Sequence, residues 1–546
     1  MKAYSRREFL RLAALGAATT AISACSVPAT QVPSATEFVP AATASPPTPT
    51  PAPAVPTVAT ASARLNYAEL GSFDNFNPWR ATAVNSAMYN QVFSRLVYED
   101  SDGNLQGDIA ESWELSQDAL KLTLKLHENV KWHDGQECNA DNIVADYAYT
   151  QDASIAEDLS ITKQVGLLEP ISDVKAIDKY TVELTFKVPT AYFTEILDYW
   201  YIIRIDDKQD LNFMKKLPIG TGPFKIVEWK PKQYSSYSKY TEYHVQDLPY
   251  LDEWRFVRLD KAETLLPNLQ SKEVDGATSL PYAALHVIGS DPDFQSIKSD
   301  SRVINMIVNT HLPPFDKKEV RQALSYSMNR QAMAQAETFG FATPTCTPWS
   351  YPESLAYRED LVMAYPFDLD KAANLLEQAG VTGLETTVHV TPAIPEKAAM
   401  LVWQADLAKI GVTLKVEEVE IARFLEIGQD PNLQGFGLQP WRNGRVLRDP
   451  AIFMSTQGNY RGGKDNWTGW VNDELENLVQ VGASEVDTEK RRAAYQRINE
   501  ILVEEQPMIC MYTDPAVWVF NKDVQGATVD LIPYLMLAQA TVSRSA

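Results

Sequence analysis

From Asp370 to Val416 the chain reads DKAANLLEQAGVTGLETTVHVTPAIPEKAAMLVWQADLAKIGVTLKV. Helical spacing runs through Asp370–Ala379 and stops at Gly380, then returns over Ala399–Ile410 and stops at Gly411. A glycine just past the last periodic residue ends a helix readily, because it takes left-handed backbone without a Cβ clash. Val412-Thr413-Leu414-Lys415-Val416 follows as a strand. Helix–glycine–strand units of this kind predict α/β layering.

The same reading extends outward. Arg64–Leu70 is an opening strand, and Leu120–Leu126 and Tyr180–Phe186 alternate apolar and polar residues with period two, as half-buried strands do. Thr488–Glu504 is a long charged amphipathic helix, followed by a short apolar strand around Ile509–Tyr512. No internal repeat is visible. The 546 residues, 45% hydrophobic and 22% charged, suffice for two to four domains. With 71 acidic against 49 basic residues the net charge is −22, which repels phosphate backbones, so no nucleic-acid partner is expected. Beyond the N-terminus no apolar run approaches 20 residues, which excludes a polytopic membrane protein.

Residues 1–25 read as a targeting segment. Ser5-Arg6-Arg7-Glu8-Phe9-Leu10-Arg11 is a twin-arginine pattern, and a weakly apolar stretch leads to Ile22-Ser23-Ala24-Cys25, which is similar to a bacterial lipobox. Cys25 is the expected lipidation site, and acyl chains there would hold the protein at a membrane. Residues 26–62 contain nine prolines and cannot bury a core, so they form a tether. The expected location is therefore outside the cytoplasm, lipid-anchored to the outer face of the cytoplasmic membrane. Cys138, Cys346 and Cys510 remain and are expected as buried free thiols.

Five segments carry a family resemblance. AESWELSQDALKLTLKLHENVKWHDG within Ile109–Gly135, Leu217-Pro218-Ile219-Gly220-Thr221-Gly222-Pro223-Phe224, FDKKEVRQALSYSMNR within Asn309–Arg330, Tyr365–Gly380 and Asp473–Pro507 occur in the family's order. Together they resemble the family 5 extracellular solute-binding proteins, the peptide-, nickel- and oligosaccharide-binding lipoproteins of ABC importers. The resemblance implies an α/β, two-lobed periplasmic-binding-protein-like (type II) fold with an extra inserted domain and a ligand cleft between the lobes. Carried over, lobe I comprises residues 63–94, 215–300 and 508–546, the inserted domain 95–214, and lobe II 301–507, with crossovers near 300 and 507 as the hinge. The implied partners are a captured solute and a transmembrane permease pair. The protein is expected to be a monomer without cofactor.

Motifs for chemistry are few. His-Glu-x-x-His, Gly-x-Ser-x-Gly and phosphate-loop patterns are absent, and the six histidines have no metal-ligand spacing, so neither an enzyme nor a resident metal is expected. His133-Asp134-Gly135 reads as a structural turn. Gln439–Pro450 is more informative. In peptide-binding relatives the matching loop has a tryptophan and, three residues on, an aspartate that holds the peptide's α-ammonium. Here that place falls on Gly444 or Val446, neither acidic, while Arg442, Arg445 and Arg448 stand beside Trp441. Arginine's planar fork suits carboxylate, phosphate or sugar hydroxyls. Trp441, Arg442, Asn443 and Arg445 are therefore candidate ligand contacts, with Trp349, Tyr512, Thr82 and Asn85 from other regions that approach ligand in relatives. The missing carboxylate places an oligosaccharide or other non-peptide solute ahead of a peptide. A tethered hydrolase and a ligand sensor are the alternatives from other classes.

Overall fold

The computed structural model describes residues 64–543 except 71–75, 77, 81–85, 152–165, 206–216, 301, 393–395, 430–436, 444–448, 457–465 and 531–533. Cys25 and the tether lie outside the described residues. Two large sheets organise the chain. The first has seven strands in the order Phe294–Ser299, Ala516–Asn521, Gly276–Ala277, Arg64–Leu70, Glu253–Leu259, Tyr234–Lys239 and Phe224–Lys230. The second has five, in the order Thr413–Glu418, Glu385–Val390, Leu438–Asn443, Val303–Val308 and Met508–Thr513.

Asp370–Val416 leads into the edge strand of the second sheet. Helix Leu369–Gln378 ends before Gly380 at φ +68°, and helix Lys397–Ala408 ends before Gly411 at φ +76°. The latter helix connects strand Glu385–Val390 to its parallel neighbour Thr413–Glu418, a βαβ unit. Ala399, Met400, Trp403 and Leu407 of that helix are buried against Val388, Val390 and Leu414 of the sheet. Helix Thr488–Glu505 covers the other face through Tyr495, Ile498, Ile501 and Leu502.

A four-stranded antiparallel sheet, Ala110–Leu115, Lys121–Leu126, Thr181–Phe186 and Ile171–Asp178, builds the inserted segment. Its core is continuous with the first sheet's: Leu122, Leu124 and Ile143 belong to the same buried cluster as Tyr67, Phe224 and Trp254. Two of the resemblance segments meet at this junction. The Gly220 N–H donates to Nδ1 of His133 at 3.3 Å, and the His133 Nε2 lies 2.9 Å from the Gly222 carbonyl. Nδ1 therefore accepts and Nε2 carries the proton, and burial holds the ring's pKa down to about 4. Glycine is required here, since a Cβ at Gly220 would stand 1.8 Å from the Val92 carbonyl oxygen.

The expected lobe boundary at 507 is corrected. Met508–Thr513 pairs with Val303–Val308 and belongs to the second sheet, and the chain passes to the first only at Asp514-Pro515. The other passage runs from Ser299 to Val303.

Candidate functional site

The two passages lie side by side. Strands Phe294–Ser299 and Ala516–Asn521 are antiparallel partners in one sheet, and their continuations Val303–Val308 and Met508–Thr513 are antiparallel partners in the other. Backbone and side chains cross-link them: Asp514 N donates to the Arg302 carbonyl at 2.9 Å, Arg302 Nε to the Asp514 carbonyl at 3.1 Å, and Thr513 Oγ1 to Asp300 Oδ1 at 2.9 Å.

Asp514 is the electrostatic centre. Its carboxylate, 5% exposed, lies 2.7 Å from Arg442 Nε and 3.1 Å from Arg302 Nε and accepts a 2.8 Å hydrogen bond from the Tyr282 hydroxyl. Arg442 arrives from the end of strand Leu438–Asn443, where it faces Ile304, and Ile304 in turn faces Tyr512. The register on strand Met508–Thr513 shifts between Ile304 and Asn305, and this bulge carries Met511 and Tyr512 to the same core. The Tyr512 hydroxyl is buried and makes no hydrogen bond, and burial, then the Glu396 charge, raises its pKa well above the usual tyrosine range.

Glu396 completes the group. It precedes helix Lys397–Ala408, beyond the carboxyl end of strand Glu385–Val390, where α/β sheets place their ligands. The residue is 1% exposed and neither carboxylate oxygen has a hydrogen-bond partner. It does not cap its own helix: Glu337 Oε2, from helix Arg330–Thr338, accepts from Ala398 N at 2.9 Å and Ala399 N at 3.2 Å. Burial pushes the Glu396 carboxyl up to about 8; Arg442 opposes this, while Asp514 and Glu337 add to it.

Of the sequence candidates, Arg442 and Tyr512 are brought together. Trp441 is not beside Arg442 in the way its position suggests: residues 438–443 form a strand, and successive side chains leave it on opposite faces. Trp441 faces Asn305 and packs toward the other core, near-parallel to Phe424 at 6.2 Å and edge-on to Trp467 at 4.7 Å. Trp349 is 0% exposed, packed in the same buried cluster as Ile498 and Leu502, and edge-on to Phe453. Asn443 closes the Leu438–Asn443 strand. Arg445, Thr82 and Asn85 lie outside the described residues. Glu396, Asp514 and Arg302 were not singled out by sequence; an isolated glutamate before a helix carries no signal of burial.

A second zone of contact joins the inserted segment to the five-stranded lobe. Ala191 N donates to the Ala483 carbonyl at 2.9 Å, and Arg491 Nη1 donates to the Ala191 carbonyl at 3.2 Å. Glu195 Oε1 accepts from Asp449 N at 3.0 Å, and Arg491 pairs with Asp449. The two lobes thus touch both at the passages and through the inserted segment.

Comparison with known proteins agrees with this architecture. Residues 104–465 match the profile of the bacterial extracellular solute-binding proteins, family 5. A curated relative, the glutathione-binding protein GsiB of Salmonella typhimurium, is 26% identical over 83% of this chain and 90% of its own. The structure of HbpA2 from Haemophilus parasuis covers 88% of this chain and 100% of its own with a TM-score of 0.78 and 25% identity. DppA of Helicobacter pylori in complex with the peptide STSA gives a TM-score of 0.70 at 22% identity, over 88% and 98% of the two chains. Fold and neighbours define a type II periplasmic binding protein. The chain belongs to the family 5 bacterial extracellular solute-binding proteins, which serve ABC importers and work outside the cytoplasm.

Proposed function

We propose that this protein captures a short peptide or peptide-derived solute between its lobes, by closure about Asp300, Arg302 and Asp514-Pro515, and delivers it intact to an ABC permease pair. The observation that carries this reading is charge of both signs brought together near the passages: the half-buried Arg442 and Arg302 on one side of the balance, the buried Asp514 and the unpartnered Glu396 on the other. Such a site suits a zwitterion, because a charged group is accepted in a dry site only where a countercharge receives it. The likeness to a glutathione-binding protein across most of the chain points the same way.

This reverses the ligand order expected from the sequence. The sugar reading rested on a missing carboxylate, but a different carboxylate is at hand, and the Trp441 ring is engaged by Phe424 and Trp467. No enzymatic step is assigned: the relatives that the chain resembles over most of its length bind solutes. Export through the twin-arginine segment and anchoring through Cys25 belong to the same reading and rest on the sequence alone.

A thermal-shift panel of reduced glutathione, di- to tetrapeptides, gluco-oligosaccharides and Ni²⁺ tests it. A ligand at 100 times its Kd adds about 2.7 kcal/mol, or about 3 °C for a chain of this size. The expected result is a shift with peptides or glutathione, each recovered unchanged by mass spectrometry. A shift with sugars alone, or a cleaved ligand, would overturn the proposal.

A further inference from the structure

A buried carboxylate with no partner is costly, and folded chains rarely keep one without a use. Among the described residues Glu396 is such a group: 1% exposed, both oxygens unbonded, and relieved of helix capping by Glu337. Its neighbour Lys397 turns away to Glu418 at 2.8 Å. The Tyr512 hydroxyl, also buried and unbonded, shares its electrostatic surroundings. The charged groups that act on Glu396 come from three other elements: Arg442 from its strand, Asp514 from the second passage and Glu337 from helix Arg330–Thr338. Two of the three are acidic. Arg442, the one cation among them, is committed to Asp514 at 2.7 Å. Asp514 also pairs with Arg302, so two cations face three carboxylates once Glu396 ionises, and the ionised form lacks one positive charge.

We propose that Glu396, together with the Tyr512 hydroxyl, is the anchor for a primary ammonium group of the bound solute. This rests on the peptide reading above and deepens it, since it says which end of the solute is held and by which residue. The carboxylate accepts one or two N–H bonds from the ammonium and the phenolic oxygen accepts another, so both orphaned groups are satisfied at once. Because burial keeps Glu396 protonated near neutral pH in the empty protein, uptake of an ammonium expels that proton to solvent. Binding then strengthens as pH rises from 6 to 8, by up to about tenfold per unit.

The test is calorimetric titration of the full chain with reduced glutathione, trialanine, their N-acetylated forms, and the non-peptide amine putrescine. Titrations at pH 7 in buffers of different ionisation enthalpy count the protons released. For the free-amine forms the expected result is release of nearly one proton. N-acetylation and Glu396→Gln should each weaken binding about ten- to a hundredfold, and Tyr512→Phe several-fold. Glu396→Gln keeps the shape of a side chain that is neutral near pH 7, and its melting temperature reports that it folds. Peptides that bind wild type and Glu396→Gln equally, with no proton released, would overturn the anchor and leave the peptide reading intact. Binding of putrescine alone, lost in Glu396→Gln, would sustain the anchor and overturn the peptide reading. Binding of none of the amines would overturn both.

Discussion

Replacing Glu396 by glutamine should stabilise the ligand-free protein, although it removes a charge at the centre of the site. The glutamate is 1% exposed and its carboxyl is pushed up to about 8 by burial, against an unfolded value of about 4.3. A folded-state pKa above the unfolded one means that the folded form keeps a proton the unfolded form has lost. Stability is therefore complete below the unfolded value and falls as pH rises toward 8, by about 1.4 kcal/mol per unit. At pH 7 the accumulated cost is about 3.5 kcal/mol, and at pH 5 it is about 1 kcal/mol. Glutamine does not titrate and escapes it. The unfolding entropy of residues 64–543 is about 1 kcal/mol/K, so the variant should melt about 3.5 °C higher at pH 7 and within about 1 °C of wild type at pH 5. If the five-stranded lobe melts by itself, the shift is larger in proportion. Scanning calorimetry of both proteins at pH 5, 6, 7 and 8 reads this directly. A gap that does not grow with pH, or a variant less stable than wild type at pH 7, would refute the reasoning.

Three other outcomes are expected. Arg95→Met removes a buried guanidinium that pairs with Asp198 at 2.6 Å and Asp530 at 3.0 Å, leaving two buried carboxylates and costing about 3–5 kcal/mol at pH 7. Burial already raises the pKa of both aspartates, so protonation relieves the variant, and its deficit in melting temperature should shrink from pH 8 to pH 5. Glu195→Ala removes the acceptor for Asp449 N across the contact between the inserted segment and the five-stranded lobe; with closure making this contact, calorimetry is expected to show affinity for reduced glutathione or trialanine lowered about tenfold. Trp441→Ala breaks the contacts with Phe424 and Trp467 and should cost about 2 kcal/mol in chemical denaturation while changing peptide affinity only a few-fold.

Local chemistry made the α/β elements legible. Helices Leu369–Gln378 and Lys397–Ala408 begin and end within two residues of their sequence reading, because helical periodicity and a glycine stop are local signals. Strand Leu438–Asn443 was hidden: Pro440 argues against a strand and the run has no alternation, yet pairing with Val303–Val308 imposes one. That strand sends Trp441 and Arg442 to opposite faces, which no loop reading could show. Met508–Thr513 reads as a strand, but whether it joins the first or the second sheet depends on a partner some 200 residues earlier in the chain. Glu396 was the least legible. Glu396-Lys397 before a helix resembles any solvated N-terminus, and only the fold shows that Glu337, far away in sequence, has taken the capping role and left the neighbouring carboxylate buried and unused.

A peptide-like solute is expected to draw the lobes together about the paired passages. Small-angle X-ray scattering of the protein, alone and with saturating reduced glutathione or a di- to tetrapeptide mixture, tests it most directly. A smaller radius of gyration is expected with the solute than without it. Calorimetric saturation with no change in scattering would contradict closure, and compaction with an oligosaccharide but with no peptide would contradict the solute.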